Sequence, residues 1–166
     1  TEIYTLSLHD ALPISQRPPL KLEGAIECES SVVTARSAGV AAESQGLSGF
    51  GNGWSGDAHL FVRATKVGDF VELGIPATGP GMKRILLHAT KAKDYGQLRF
   101  SVNGKAIDPV FDGYAPQPTP SGRIDLGVHE PREGLFILRA EVVGANPAST
   151  DAKYYFGLDA LLLEKP

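Results

Sequence analysis

The 166-residue chain has one cysteine, one tryptophan and one methionine. A lone thiol, Cys28, cannot close an internal disulfide, and its solitude excludes zinc sites that need two or more cysteines. Set in "AIECES", it reads as a small buried hydrophobe rather than a nucleophile. Cysteine usage leaves the compartment open. Positive charge is also scarce. Lys and Arg number 16 against 19 Asp and Glu, a net charge of −3, with no basic patch of the kind nucleic acid needs. No apolar run approaches the roughly 18 residues of a membrane-spanning helix. No window carries a convincing helical apolar stripe either. The best candidate, "SVVTARSAGVAAES", is weakened by Gly39. No internal repeat has a solenoid or propeller period.

What is present describes a folded domain: 42% hydrophobic and 21% charged residues, in a chain long enough to bury a real core. The high count of 19 Gly and 12 Pro suits many short strands joined by turns. The opening stretch stands apart. "TEIYTLSLHDALPIS" has no basic n-region, apolar h-region or small-residue cleavage site, so it does not read as a signal peptide. Read back into codons, Thr1–Ile14 and the first base of Ser15 resemble a common short-read sequencing adapter translated in frame. Residues 1–15 are therefore expected to be non-native, which removes His9 and Asp10 from any chemistry and predicts that the natural chain continued upstream. Gln16–Glu23, "QRPPLKLE", is expected to be an extended linker, because adjacent prolines favour polyproline II. The domain itself is expected over residues 24–166.

Within it the period is two. "GAIECES", "HLFVRA", "GDFVELGIP", "MKRILLHAT", "QLRFSVNGKAI", "RIDLG", "GLFILRAEVVG" and "YYFGLDALLLE" read as strands. Leu98, Phe100 and Val102 alternate with polar residues before Asn103-Gly104, a type I′ hairpin turn in which both residues need positive φ. Phe136, Leu138, Ala140 and Val142 form one face of the penultimate strand. Roughly eight strands without helices predict an all-β fold, an antiparallel β-sandwich or jelly roll. Two long loops, Ser44–Asp57 and Asp108–Gly122, are expected to be functional or mobile.

Catalytic motifs are wanting. In "GLSGF", Phe50 stands where a nucleophile elbow needs Gly. In "GFGNGW", Trp54 takes the last Gly position of a dinucleotide fingerprint, and no helix follows. His59, His88 and His129 lack ligand spacing and read as surface or strand-edge histidines. Were the domain a small glycosidase or lyase, Asp57, Asp94 and Asp112 would be the loop acids to test.

Three other acids invite a metal. Glu27 and Glu29, two apart on a predicted strand, point to one side, opposite Ile26 and Cys28. Asp159 lies amid apolar neighbours in "FGLDALLL" and needs a partner, since an unpaired buried charge is costly. Ca²⁺, which takes carboxylate and carbonyl oxygens, is one answer. The other is that Glu27 and Glu29 face solvent while Asp159 pairs with Lys or Arg.

"AIECES" and "YYFGLDALLLE" resemble the opening and closing strands of galactose-binding-like jelly-roll domains, including carbohydrate-binding modules. The stretches between them resemble accessory domains that sit beside glycoside hydrolases in secreted bacterial polysaccharide-degrading proteins. The resemblance implies a structural Ca²⁺ on Glu27, Glu29 and Asp159, a secreted or periplasmic location, and a non-catalytic role: binding polysaccharide or oligosaccharide and tethering an upstream catalytic domain. Neither nucleic acid nor a membrane is an expected partner. A sugar needs an aromatic platform and a few polar groups. Trp54, in its Gly-rich loop, is the expected platform, with Asp57 beside it. Asp94 with Tyr95, and Asp112 with Tyr114, are further expected contacts. The competing reading makes Trp54 a loop plug over the core and the domain a structural one that packs on its parent enzyme.

Overall fold

The computed structural model describes residues 18–150 and 152–166. The expectation for residues 1–15, and residues 16–17 of the expected linker, lie outside them. Among the described residues eleven strands form two antiparallel sheets. They are β1 (Ile26–Glu27), β2 (Val32–Arg36), β3 (Ala41–Gly46), β4 (Ala58–Arg63), β5 (Phe70–Pro76), β6 (Lys83–Lys91), β7 (Gly96–Val102), β8 (Lys105–Asp112), β9 (Thr119–His129), β10 (Leu135–Ala145) and β11 (Phe156–Glu164). One sheet runs β3-β4-β11-β6-β9, with β1 also paired to β11; the other runs β2-β5-β10-β7-β8. The fold is the predicted jelly-roll sandwich. Among the described residues no helix is long and apolar enough to cross a membrane.

Alternation builds the core. Leu98, Phe100 and Val102 on β7 and Phe136, Leu138, Ala140 and Val142 on β10 are buried; the three β7 residues lie opposite Val142, Ala140 and Leu138, and Phe136 lies opposite Ile75 of β5. Val71, Leu73 and Ile75 of β5 join the same cluster. Each large side chain so buried contributes about 1.5–3 kcal/mol. The hairpin between β7 and β8 turns at Asn103 (φ 50°) and Gly104 (φ 82°), as a type I′ turn requires.

The strand count exceeds the expected one because "SVVTARSAGVAAES" is two edge strands, β2 and β3, separated by a turn at Gly39 (φ 78°), and because "QLRFSVNGKAI" spans the two strands of a hairpin, β7 and β8. The loop predicted over Asp108–Gly122 is shorter than expected, since β8 runs to Asp112 and β9 begins at Thr119. Pro109 is accommodated because β8 is an edge strand, where a missing N–H is tolerated. Within the stretch read as a linker, Leu20 forms a bridge with Ser55, and the Gly56 N–H donates to the Leu20 carbonyl at 2.7 Å.

β11 sets the stage for function. Phe156 to Leu161 are all buried, so this strand is covered on both faces and loses the period of two. β4 pairs with Phe156–Leu158, and β1 takes over at Ala160–Leu161. The register against β6 slips between Leu158 and Ala160, leaving Asp159 as the extra residue of a bulge. Bulges re-aim side chains next to sites.

Candidate ligand cleft and acidic cluster

Two polar features flank the loop between β3 and β4. The first is a cleft of about 390 Å³, walled by residues of β3, β4 and β6, by the 92–95 turn and by the 116–118 loop. Phe50, Phe61 and Tyr95 supply its aromatic surface, and Gln45, Lys93 and Asp94 its polar groups. Phe61 is held by its neighbours: Tyr95 lies stacked at 6.3 Å and Tyr155 edge-on at 5.4 Å. The Tyr95 phenol is pushed up from its ordinary range, chiefly by burial and also by Asp94. Phe50, at the end of a 3-10 turn (Ser48–Phe50), is 56% exposed. A flat apolar ring beside hydrogen-bonding groups is what a sugar needs, its C–H face on the ring and its hydroxyls on the polar atoms.

Trp54 is not the platform. Its indole is 1% exposed, and its N–H donates to Thr90 Oγ1 at 2.8 Å. The Gly-rich loop lets it in: a Cβ on Gly53 would fall 2.5 Å from the Pro120 ring, so only glycine allows the loop to press this close to β9. Asp57, expected beside the platform, does not line the cleft. Its Oδ1 is buried without a partner, and its backbone is left-handed (φ 55°). Asp112 is spent on structure, accepting from the Tyr114 N–H at 3.1 Å and from Asn146 Nδ2 at 2.6 Å. Tyr114 pairs with Ala92 and does not line the cleft. Of the expected sugar contacts, the cleft therefore brings together only Asp94 and Tyr95. Among the described acids Asp94 lines it alone, so the paired carboxylates of a glycosidase are not assembled there.

His59 also departs from expectation. It is fully buried, bonded through Nδ1 to Thr90 (2.7 Å) and through Nε2 to Gln45 (2.8 Å). Burial lowers its pKa to about 4. Phe50, Gln45, Phe61 and Thr90 were missed by the sequence reading. The one signal for Phe50 was its place in the loop already singled out.

The second feature is acidic. Glu27 ends β1, and Glu29 lies not on a strand but in a 3-10 turn (Cys28–Ser30). The turn replaces the expected alternation, and Cys28 is buried as foreseen. Ser55 stands between Glu27 and Asp159. Its hydroxyl donates to Glu27 Oε1 at 2.7 Å, and its N–H donates to Asp159 Oδ1 and Oδ2 at 3.1 and 3.3 Å. Glu27 Oε2 and Glu29 Oε2 are buried with no partner. The Asp159 carboxyl is raised to about 7, first by burial and then by the charges of Glu27 and Glu29, against the Ser55 N–H. Glu29 is raised for similar reasons, burial first and the Glu27 charge after it. Among the described residues no group of three or more His, Cys, Asp or Glu side chains is arranged to hold a metal ion, Glu27, Glu29 and Asp159 included. The donor chemistry nonetheless suits a hard cation: oxygen atoms only, two of them orphaned, and a proton held where a positive charge would serve.

These features sit on a fold shared with known modules. A region of a Paenibacillus xanthan lyase superposes with TM-score 0.73 at 21% identity, over 89% of this chain and 14% of the lyase. The GH26-CBM35 β-(1,4)-mannanase of Podospora anserina gives 0.51 at 14% identity, over 86% and 28%. The CBM36-1 domain of a multidomain xylanase from the hindgut metagenome of Trinervitermes trinervoides gives 0.50 at 11%, over 86% of this chain and 96% of that domain. The chain thus spans about a seventh of the lyase and just over a quarter of the mannanase. No family model matches, and no curated protein matches. The shared property is the fold, a two-sheet antiparallel jelly roll.

Proposed function

We propose that this domain is a non-catalytic carbohydrate-binding module that tethers a longer, exported enzyme to its polysaccharide. The observation that carries the reading is the cleft: an exposed Phe50 beside Gln45, Lys93 and Asp94, with the largely buried Tyr95 in its wall. The fold's occurrence as a small part of the lyase and mannanase chains supports an accessory role. Tethering raises the local concentration of substrate without chemistry in the module itself. Single-site affinity is weak, because solvated hydroxyls return little net energy.

Glu27, Glu29 and Asp159 are the residues that would hold a structural Ca²⁺. When bound, the cation supplies the positive charge the cluster lacks and clamps β1 to β11. Ser55 is already placed to keep two of the acids in position.

The seal over Trp54 favours a second reading, a structural domain that packs on its parent enzyme. Affinity gels and a glycan array separate the two. Retention on a polysaccharide that is lost in Phe50→Ala supports the sugar site. No retention of the wild-type chain, with Phe50→Ala and EDTA without effect, supports the structural domain.

A further inference from the structure

Beneath the cleft runs a line of four polar side chains. Trp54 Nε1 lies 2.8 Å from Thr90 Oγ1, Thr90 Oγ1 lies 2.7 Å from His59 Nδ1, and His59 Nε2 lies 2.8 Å from Gln45 Oε1. Trp54, Thr90 and His59 are at most 1% exposed, and Thr90 touches the cleft wall from below. Gln45 is half-buried and lines the cleft.

The direction of each bond follows from what the groups can do. An indole N–H only donates, so Thr90 Oγ1 accepts it. The single hydroxyl hydrogen of Thr90 then needs an acceptor, and His59 Nδ1 is the one within reach. Nδ1 is therefore the bare nitrogen of a neutral ring, and Nε2 carries the proton. Nε2 donates to Gln45 Oε1, so the Gln45 carbonyl is turned inward and its NH₂ is left to the cleft. The opposite tautomer would send two N–H groups to Thr90 and strand its hydroxyl hydrogen away from water, an outcome buried polar groups avoid. Packing locks the ring in place. His59 stacks on Phe61 at 6.1 Å with 7° between planes, and a Cβ on Gly157 would run into the imidazole. Burial keeps that ring neutral, as the line of bonds requires.

The geometry points to Thr90 and His59 as positioning residues that orient the Gln45 amide, so that the cleft offers N–H donors rather than a carbonyl acceptor to an oxygen of its ligand. The ligand half of this rests on the saccharide reading of the cleft; the orientation of Gln45 does not.

The test has two parts. Long-range ¹H–¹⁵N NMR of the ligand-free chain at neutral pH is expected to show His59 as the Nε2–H tautomer. Thr90→Val is expected to lose that preference, and Thr90→Ser to restore it. Gln45→Glu keeps the size but replaces donors with acceptors. It is expected to weaken binding to whichever polysaccharide retains the wild type about tenfold. An Nδ1–H tautomer in the wild type overturns the relay whatever the binding, and does not depend on any variant folding. Unchanged affinity in Gln45→Glu overturns the donor role. A chain that shows the Nε2–H tautomer yet retains no polysaccharide overturns the saccharide reading and leaves the orientation of Gln45 standing.

Discussion

Ser55 and Asp159 lie 104 residues apart in sequence, yet one backbone N–H of Ser55 donates to both carboxylate oxygens of Asp159. The contact ties the β3–β4 loop to the strand at the centre of its sheet. It is made at a bulge, where β4 has left β11 and β1 has just begun to pair. A carboxylate here receives one N–H and faces two further acids, so electrostatics rather than packing is the unfinished part of the fold.

That imbalance predicts a reversal of stability with calcium. In EDTA at pH 8, Asp159→Asn is expected to be more stable than wild type by about 1–3 kcal/mol, because the amide removes a repelled charge and still accepts from Ser55. In saturating Ca²⁺ the order is expected to invert. The pH dependence has a definite sign. Without metal the folded Asp159 holds its proton up to about pH 7, against an ordinary value of 3.8. The group's contribution is full below about 3.8 and is lost as pH rises towards 7. Apparent calcium affinity should correspondingly fall as pH drops below about 7, since proton and cation compete for the same oxygens. Thermal unfolding of both proteins in EDTA and in CaCl₂ reads the effect; a wild-type Tm indifferent to calcium would remove the cation from the account.

The two aromatic residues of the Gly-rich loop should separate cleanly by mutation. Phe50→Ala is expected to abolish polysaccharide retention with Tm unchanged, since the ring stands 56% exposed. Trp54→Ala is expected to cost about 3–5 kcal/mol of stability, because it empties a sealed site and strips Thr90 of a donor. Trp54 is the sole tryptophan, so its emission gives an independent check. Acrylamide should quench it poorly in the native state, and efficient quenching would place the indole in the open.

The contrast between these two residues shows what the sequence makes legible. The β7–β8 hairpin could be read in advance because its turn residues and its alternation are local. β2 and β3 could not, because edge strands whose inner face is only half-buried, built largely from Ala, Ser, Glu and Val, carry no strong period. Asp159 stood out because an acid in an apolar strand has to be compensated. Nothing local ranks Trp54 against Phe50. Their depths are decided by a hydroxyl 36 residues further on and by how closely Gly53 lets the loop approach Pro120. Asp112 misled for the same reason, as its partner Asn146 lies on a distant connection.

Asp112 accordingly should behave as a tether. Asp112→Ala frees the Asn146 amide and the Tyr114 N–H, and is expected to cost about 1–3 kcal/mol. Affinity of the folded protein for polysaccharide should stay within about twofold of wild type. A drop in affinity with Tm unchanged would return this carboxylate to the binding surface.

His59 should make the domain acid-labile. Its folded pKa is lowered to about 4 from 6.5 by burial, so the folded state refuses a proton that the unfolded chain accepts. Stability from this group is full above about pH 6.5 and is lost as pH falls towards 4, by an amount approaching roughly 3 kcal/mol. In metal-free solution Asp159 opposes this trend over much of the same range, so the measurement belongs in a background that fixes that carboxyl. Within Asp159→Asn, urea unfolding at pH 7 and at pH 4.5 should show a loss that shrinks when His59→Asn is added. Equal losses with and without the imidazole would mean that the ring is not held neutral, and the directed line from Trp54 to Gln45 would lose its central member.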